Sequence, residues 1–361
     1  MHTVKVDLKD NNYNIVIGNQ ILKDLGTALK PLKVGTDAII ITNPVIKRHH
    51  GGALAAGLRS LGMSVKFIEV PSGEESKSVD QAFKLIEEIA AYDVKKQIFI
   101  IGFGGGVIGD LAGFIAAVYK RGIPFVQVPT TLLAQVDSAI GGKVAIDLPV
   151  GKNLVGAFYQ PKIVWSDVSV LSTLDKRQIQ NGLAEVVKYG IICDRPLFDL
   201  IERNIEKLLT LDSMIFVDVI QICSRIKAKV VMSDEKETQG MRVILNFGHT
   251  IGHAIEAANQ FKDYHHGEAV ALGMRVAVNI SFRMGLISPN TVPRVDKVLS
   301  DIGLPEKIEH VHLSDIMRHM EHDKKFKEGK NRFVLATGIG GVKVVQGVDQ
   351  GIIQAAVKDC M

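Results

Sequence analysis

Short apolar runs alternate with amphipathic segments through the first half of the chain. Four of the runs are rich in β-branched residues, are bounded by Gly, Pro or Asn, and cover residues 38–42, 65–70, 97–102 and 125–128. Runs of this length and composition are typical of buried strands. Helical periodicity separates them, as in residues 78–91, where Ser78 is a candidate N-cap. The alternation predicts an α/β fold with a largely parallel sheet covered by helices on both faces.

The pattern changes after about Leu174. Most later apolar positions recur with helical spacing, over residues 176–190, 196–209, 212–232, 247–260, 267–284 and 290–302. One further run, 332–336, is a candidate strand that either returns to the first half or forms a small ribbon. At 361 residues the chain exceeds the usual size of a single core. We therefore predict an α/β domain over residues 1–175 and a helical domain over residues 176–361.

Composition and charge argue against several classes of function. The formal net charge is only +4 and no Lys/Arg-rich run occurs, which disfavours a nucleic-acid partner. No stretch approaches the ~20 continuous apolar residues that span a bilayer. Cys193, Cys223 and Cys360 are far apart and lack CxxC spacing, as is typical of reduced thiols. Residues 1–7 alternate like a strand and lack the apolar core of a signal peptide, so we expect a soluble cytoplasmic protein.

A glycine-rich segment follows the third predicted strand. Gly104, Gly106 and Gly109 have GxGxxG spacing before a predicted helix, where bare backbone lets a pyrophosphate approach the helix N-terminus. The acidic residue expected about 20 positions later is absent from segment 129–131. The alternative is a tight turn that needs glycine only for packing. A second glycine-bearing loop at 71–77 favours a nucleotide site, because open α/β sheets bind nucleotides beyond their strand ends.

Three histidines and one glutamate are candidate metal-site residues. His249 and His253 are four apart and share a helix face, and His266 opens the next helical segment. Glu185 lies in an apolar helical segment, where a lone carboxylate is costly to bury. One glutamate and two histidines would leave coordination positions open for substrate. The alternatives are an ion pair of Glu185 with Lys188, and core histidines that are satisfied by hydrogen bonds.

Two lysines directly follow glycines. Lys143 and Lys152 lie in Gly-rich segments, and a lysine on a flexible loop is suited to holding phosphate, although a solvated surface lysine is the default. Together these residues predict an NAD- and metal-dependent enzyme that acts on an anionic small molecule.

Several motifs resemble those of the 3-dehydroquinate synthase family, which belongs to the sugar-phosphate cyclases. They are collinear over essentially the whole chain, at residues 104–114, 127–138, 141–143, 151–153, 182–190, 246–256 and 266–274. The resemblance implies a Rossmann-like NAD-binding α/β domain followed by an all-α metal-binding domain. It also implies a homodimer, since Arg121 matches a position that typically reaches in from a second subunit.

The resemblance assigns roles to individual residues. Glu185, His249 and His266 match the family's metal ligands, usually for zinc and replaceable by cobalt. His253 matches a histidine that assists proton transfer, and His265 is a bystander. Matches around the substrate are Asp137, Lys143, Asn153, Lys188, Lys227, Arg242, Asn246 and, in preference to Lys325, Lys324. NAD contacts are assigned to Asn43, Ser72, Gly73, Glu74, Glu75, Ser76, Lys77, Gly106, Val107, Ile108, Gly109, Asp110, Thr130, Thr131, Lys143, Lys152, Val170, Leu171, Ser172 and Thr173.

The chain departs from the family pattern at two places. Val144 stands where Thr is more usual, and the stretch 236–241 is one residue longer than the common form. The longer stretch makes the assignment of Lys227 less secure than that of Arg242 or Asn246.

The activity that the resemblance implies belongs to the shikimate pathway of aromatic amino-acid biosynthesis. The substrate 3-deoxy-D-arabino-heptulosonate 7-phosphate would become 3-dehydroquinate and phosphate, through transient oxidation by NAD⁺, phosphate elimination, re-reduction and intramolecular aldol closure. Lys227 and Arg242 would bind the substrate carboxylate. The alternatives are a related cyclase whose substrate lacks the carboxylate, a polyol dehydrogenase that releases NADH, and a non-catalytic NAD-sensing module with a structural metal.

Overall fold

The computed structural model describes residues 1–260, 262–321 and 331–361. Contacts divide the chain into a first unit, Met1–Asp175 with Phe216–Lys236, and a second unit, Lys176–Ile215 with Glu237–Met361. Segment 216–236 therefore packs with the first unit, whereas the sequence placed it in the helical domain. Two side-chain hydrogen bonds link the segment to that unit, since Gln160 donates to Glu235 and Lys227 donates to Asp137.

The first unit contains a seven-stranded sheet with the order β1-β2-β9-β6-β5-β3-β4. All neighbouring pairs are parallel except β1 with β2, and β7 pairs with β8 as a separate antiparallel hairpin. The strands are β1 (His2–Val6), β2 (Tyr13–Gly18), β3 (Asp37–Thr42), β4 (Ser64–Glu69), β5 (Ile98–Gly104), β6 (Phe125–Pro129), β7 (Lys143–Leu148), β8 (Gly151–Phe158) and β9 (Ile163–Asp167).

The predicted parallel sheet is confirmed. The four apolar runs form β3, β4, β5 and β6, and every residue of β5, β6 and β9 is buried, as expected where helices cover both faces. The sequence did not indicate β2, β7, β8 or β9. The short apolar runs of β2 and β9, residues 15–17 and 163–165, were not singled out, and β8 is largely exposed.

Helices account for most of the second unit and for the cover of the sheet. In chain order they are α1 (Leu25–Leu29), α2 (Pro44–Ile46), α3 (Gly52–Arg59), α4 (Val79–Tyr92), α5 (Gly106–Val118), α6 (Lys176–Cys193), α7 (Arg195–Arg203), α8 (Ile205–Leu209), α9 (Ser213–Ser233), α10 (His249–Ala258), α11 (His266–Arg283), α12 (Thr291–Ile302), α13 (Leu313–Glu321) and α14 (Gln350–Asp359). The hydroxyl of Ser78 accepts a hydrogen bond from the amide of Gln81, which confirms the predicted N-cap of α4.

The second unit also contains one small sheet. Its strands β10 (Arg332–Gly338) and β11 (Gly341–Gln346) pair antiparallel as a ribbon, which decides between the two interpretations of the late apolar run. Ser281 of α11 accepts a hydrogen bond from the amide of Ala336 and fixes the ribbon to the helices. In the part of the chain that the structure describes, no helix is long and apolar enough to cross a membrane.

Candidate active site

The carboxyl ends of five parallel strands lie at one edge of the sheet in the first unit. These strands are β3, β4, β5, β6 and β9. The residues assigned to NAD follow those ends, except Lys143 and Lys152, which lie on β7 and β8. Asn43 comes after β3, the 72–77 loop after β4, residues 106–110 after β5, Thr130 and Thr131 after β6, and residues 170–173 after β9. An open parallel sheet binds ligands at this edge, so the tertiary structure gathers these loops where a nucleotide is expected.

The glycine-rich turn joins β5 to α5. A Cβ at Gly109 would lie 2.8 Å from Oε1 of Gln127 on β6, so a larger residue here would have to displace the end of that buried side chain. Helix α5 begins at Gly106, and the first amide groups of any helix lack partners within it. The packing interpretation and the phosphate interpretation are therefore compatible, because the same bare backbone serves both.

Lys77 connects two of the predicted ligand-binding groups. Its side chain is 5% exposed, and its ammonium donates to Oδ2 of Asp110 at 2.5 Å and contacts Oδ1 of Asn153. Asn153 has a φ of +58° and donates its amide to Asp147. Burial raises the pKa of Asp110 to about 6, although Lys77 opposes the rise. A cofactor-assigned carboxylate and a substrate-assigned amide thus share one buried cation.

Asp137 and Lys227 form a second pair in the first unit. Asp137 lies in a π-helical segment, Ala134–Ser138, and its Oδ1 accepts from Nζ of Lys227 at 2.7 Å. The main-chain oxygen of Asp137 accepts from the same ammonium at 2.6 Å. Both residues were assigned to the substrate, and the structure brings them together.

The other cationic residues assigned in the first unit are more exposed. Lys143 and Arg121 are exposed, and Lys152 lies 3.8 Å from Oε2 of Glu74. Arg121 has a φ of +67° in the turn after α5. Lys324, the residue assigned to close over the phosphate, lies outside the described residues.

The second unit brings Glu185, His249 and His266 into one cluster. Oε1 of Glu185 lies 3.4 Å from Nε2 of His249 and 3.8 Å from Nε2 of His266. All three candidate ligand atoms lie within 4.8 Å of one another. Tetrahedral zinc with bonds of 2.0–2.1 Å separates its ligand atoms by about 3.3 Å, so small adjustments would complete such a site.

Close helix packing explains why the cluster forms. Gly248 precedes α10 with a φ of +78°, and a Cβ there would lie 2.6 Å from Met274 of α11. A Cβ at Gly267 would lie 2.1 Å from the main-chain oxygen of Asn181 on α6. These glycines let α10, α11 and α6 approach, which brings His249 and His266 to Glu185.

The start of α11 is held by polar contacts as well. His265 is its N-cap, and the amide of His265 donates to Oε2 of Glu268 at 2.8 Å. Glu268 also accepts two hydrogen bonds from Arg177 of α6. His265, a bystander in the sequence assignment, therefore caps the helix that presents His266.

Charge and burial suit the cluster to a cation. Glu185 is fully buried, and among the described residues its Oε1 accepts no hydrogen bond. Lys188 forms an ion pair with Oε2 of Glu185, so the ion pair considered as an alternative in the sequence analysis is also present. Oε1 of Glu185 faces the two histidines. Burial, together with the charge of Lys188, lowers the pKa of His249 well below its ordinary value and keeps Nε2 available as a ligand atom.

His266 has the opposite balance. Burial alone would lower its pKa, but the hydrogen bond and charge of Glu256 and the charge of Glu185 outweigh that effect, so the pKa is raised. Two imidazoles and a buried carboxylate form a donor set that zinc and cobalt accept. The residues present therefore fit a divalent transition metal.

His253 and Glu256 border the cluster. The ring centroid of His253 lies 5.3 Å from that of His249 and 6.0 Å from that of His266, and His253 is exposed. Glu256 has an oxygen 3.4 Å from Nδ1 of His266. The sequence analysis did not single out Glu256, although its spacing of seven from His249 places both on one face of α10.

Arg242 and Asn246 lie in the 3₁₀ segment Met241–Asn246, immediately before the cluster helix α10. Arg242 is 3% exposed and Asn246 is half-buried. A buried guanidinium is suited to holding a carboxylate in a planar, two-point contact.

Two features define the class of this protein. One is a parallel sheet with a glycine-rich turn at its carboxyl edge, and the other is a helical unit with a Glu–His–His cluster. Together they are typical of enzymes with a nucleotide-binding half and a metal-binding half. Two family models match the chain: "3-dehydroquinate synthase N-terminal" over residues 67–181 and "3-dehydroquinate synthase C-terminal" over residues 182–326. The chain belongs to the 3-dehydroquinate synthase family.

Individual relatives agree with this membership. A 3-dehydroquinate synthase from Desulforamulus reducens is 43% identical over 98% of this chain and 99% of its own length. The structure of 2-epi-5-epi-valiolone synthase from Streptomyces hygroscopicus, with NAD⁺ and Zn²⁺ bound, has a TM-score of 0.89 and 26% identity, with 98% of both chains covered. A 2-deoxy-scyllo-inosose synthase, complexed with carbaglucose-6-phosphate, NAD⁺ and Co²⁺, has a TM-score of 0.88 and 28% identity over 100% of both chains.

Proposed function

We propose that this protein converts 3-deoxy-D-arabino-heptulosonate 7-phosphate into 3-dehydroquinate and inorganic phosphate, with NAD and a divalent metal, zinc or alternatively cobalt, as cofactors. Family membership and relatives at 43% identity over nearly the whole chain support the reaction. Similar structures with NAD⁺ and Zn²⁺ or Co²⁺ support the cofactors. The single observation that carries the proposal is the meeting of Glu185, His249 and His266 in one cluster, around a fully buried carboxylate.

When bound, NAD⁺ would take a hydride from the substrate and later return it, while the divalent ion would polarise the alcohol that is oxidised. The chain's own residues bind and orient the substrate. Glu185, His249 and His266 hold the metal, and Lys188 stabilises the buried carboxylate of Glu185. His253, which is exposed beside the cluster, moves a proton.

Cations divide between the two ends of the substrate. Arg242 and Lys227 bind the carboxylate, and Arg242 supplies the planar contact that a lysine cannot make. The phosphate end is held by the remaining assigned groups, namely Lys143, Asn153, Asn246, Lys324 and Arg121 of a second subunit. In the first unit, Asp137 holds the ammonium of Lys227 by two hydrogen bonds before substrate arrives.

The direct test incubates the purified protein, loaded with Zn²⁺ and NAD⁺, with the heptulosonate phosphate. We expect one phosphate to be released for each 3-dehydroquinate formed, with no net change in NADH absorbance. A chelator should stop phosphate release, and added Zn²⁺ or Co²⁺ should restore it. Stoichiometric NADH without phosphate release would instead identify a dehydrogenase and contradict the proposal.

A related cyclase activity is the second candidate, because the valiolone and inosose synthases share the fold at TM-scores of 0.89 and 0.88. The same heptulose phosphate without its carboxylate separates the two candidates. A dehydroquinate-forming enzyme needs the carboxylate to engage Arg242, so turnover of this analogue should be far slower. Equal turnover of both compounds would favour the related activity.

We also propose that the protein acts as a homodimer in the cytoplasm. The dimer follows from the match of exposed Arg121 to a family position that reaches into a second subunit. Sedimentation velocity would measure the assembly, and a monomer at assay concentrations with full activity would contradict this part of the proposal.

A further inference from the structure

Glu256 lies beside the cluster but belongs to neither end of the substrate in the assignment above. It is on α10, it is 8% exposed, and its Oε1 lies 3.4 Å from Nδ1 of His266. On the other side of the same ring, Nε2 of His266 faces Oε1 of Glu185 at 3.8 Å. The imidazole therefore lies between two carboxylates, one on each ring nitrogen.

His249 has the same arrangement with a different partner. Its Nδ1 lies 3.0 Å from the main-chain oxygen of Phe247, while its Nε2 faces Glu185. An acceptor at Nδ1 fixes the proton there and leaves the lone pair of Nε2 for a metal. Both histidines are thus held in one tautomer, His249 by the backbone and His266 by a side chain.

A second set of residues near the cluster could also hold a metal ion. His253, Glu256 and His266 also place one ligand atom each within 4.8 Å of one another. That grouping would use Nδ1 of His266 and an exposed His253, whereas Glu185 is fully buried and directs its Oε1 toward Nε2 of both His249 and His266. The buried carboxylate gains more from a cation, which favours Glu185 as the ligand and Glu256 as the partner behind His266.

We propose that Glu256 is a positioning residue, which accepts the Nδ1 proton of His266 and thereby orients Nε2 toward the metal and strengthens metal binding. The inference rests on the proposed metal-dependent function. Carboxylates in this position behind a metal-bound histidine typically change metal affinity by about 10- to 100-fold. Glutamine keeps an acceptor oxygen without the charge, and alanine removes both.

The test measures Zn²⁺ affinity of the full-length apo-protein by competition with a chromophoric chelator. Glu256→Ala should raise the dissociation constant by about 10- to 100-fold, and Glu256→Gln should restore part of that loss. With saturating Co²⁺, Glu256→Ala should still hold one ion per chain and show shifted d–d bands, because the ligands remain but His266 is reoriented.

Asp296→Asn is the control for general destabilisation of the same unit. Asp296 accepts from the buried guanidinium of Arg275 at 2.9 Å, so its loss should lower stability and leave Zn²⁺ affinity unchanged. A Glu256→Ala constant within about twofold of the unmodified value would overturn the inference. The inference would also be overturned if Glu256→Gln lost the ion as completely as Glu185→Gln does, because Glu256 would then be a metal ligand. Absence of Zn²⁺ binding by the unmodified protein would overturn the proposed function and this inference together.

Discussion

The ammonium of Lys227 lies 2.7 Å from Oδ1 of Asp137, a residue 90 positions earlier in the chain. The Lys227 side chain is 7% exposed and the Asp137 side chain 28%, so the ammonium is the more buried partner. This contact links α9 to the first unit, with which residues 216–236 group.

Replacing Asp137 by Ala should destabilise the first unit. The change removes a charged acceptor from a buried ammonium, which should lower the free energy of unfolding by about 2 kcal/mol. Fluorescence of Trp165, the single tryptophan and a buried residue of β9, follows urea unfolding of this unit. Asp7→Ala is the matched control, since its pair with Lys5 is exposed and should contribute less than about 0.5 kcal/mol. Equal effects of the two changes would contradict the prediction.

Replacing Glu185 by Gln should empty the metal site. The neutral amide removes the charged ligand from a fully buried position, so bound zinc should fall from about one ion per chain to about none. Phosphate release should fall by about 10³-fold. Metal content is measured by atomic absorption after gel filtration. Glu202→Gln is the control, because Glu202 forms an ion pair with Arg294 of the same unit and its loss should leave the metal content unchanged. Zinc retained by Glu185→Gln would exclude Glu185 as a metal ligand.

Replacing Arg242 by Lys should impair use of the natural substrate selectively. A lysine keeps the charge but loses the two-point contact with a carboxylate, so kcat/KM should fall by about 10²-fold. The analogue without a carboxylate should be turned over at the same rate by both proteins. Arg294→Lys is the control for the chemical change alone. An unaltered kcat/KM for the heptulosonate phosphate would refute the role of Arg242.

Binding of NAD⁺ should depend on pH through Asp110. Its raised pKa, about 6, means that the carboxylate loses its charge as the pH falls through 6, well before an ordinary aspartate. The ionised form accepts hydrogen bonds, so the dissociation constant for NAD⁺ should rise between pH 8 and pH 5 with a midpoint near 6. Titration calorimetry measures it. Asp110→Asn should bind NAD⁺ weakly at every pH. Asp80→Asn, on the exposed first turn of α4, is the control and should keep the midpoint of the NAD⁺ titration near 6. If the midpoint persists in Asp110→Asn, the titrating group is another residue.

Arg121 should act across the dimer, and two inactive variants test this. Arg121→Ala and Glu185→Ala are each expected to be nearly inactive alone. In a mixed dimer, the subunit with an intact Glu185 receives Arg121 from its partner and regains one complete site. Equal amounts, unfolded and refolded together, should recover about a quarter of the unmodified activity by random pairing. Recovery of no activity, with mixed dimers shown to form, would place Arg121 outside the partner's site.

Apolar periodicity was sufficient for several elements, although β9, which is fully buried, was not predicted. Strands β3 to β6 and helix α4 with its Ser78 cap follow from local sequence, because burial forces continuous apolar runs and a helix end needs an acceptor. The hairpin β7–β8 escaped detection because β8 is exposed, so its sequence carries no burial pattern. The place of α9 also escaped, because its contacts in the first unit, such as that of Lys227 with Asp137, join residues far apart in the chain.

The chain's sequence determined the chemical inventory: a glycine-rich turn after a buried strand, a Glu–His–His donor set, and lysines and an arginine for an anionic substrate. Tertiary structure decided which of those groups meet. It turned Nε2 of His249 and His266 toward Glu185, placed Glu256 behind His266 and joined Lys77 to both Asp110 and Asn153. The reason is that spacing along a chain fixes neighbours on one helix or strand, whereas contacts between elements depend on how closely their backbones pack.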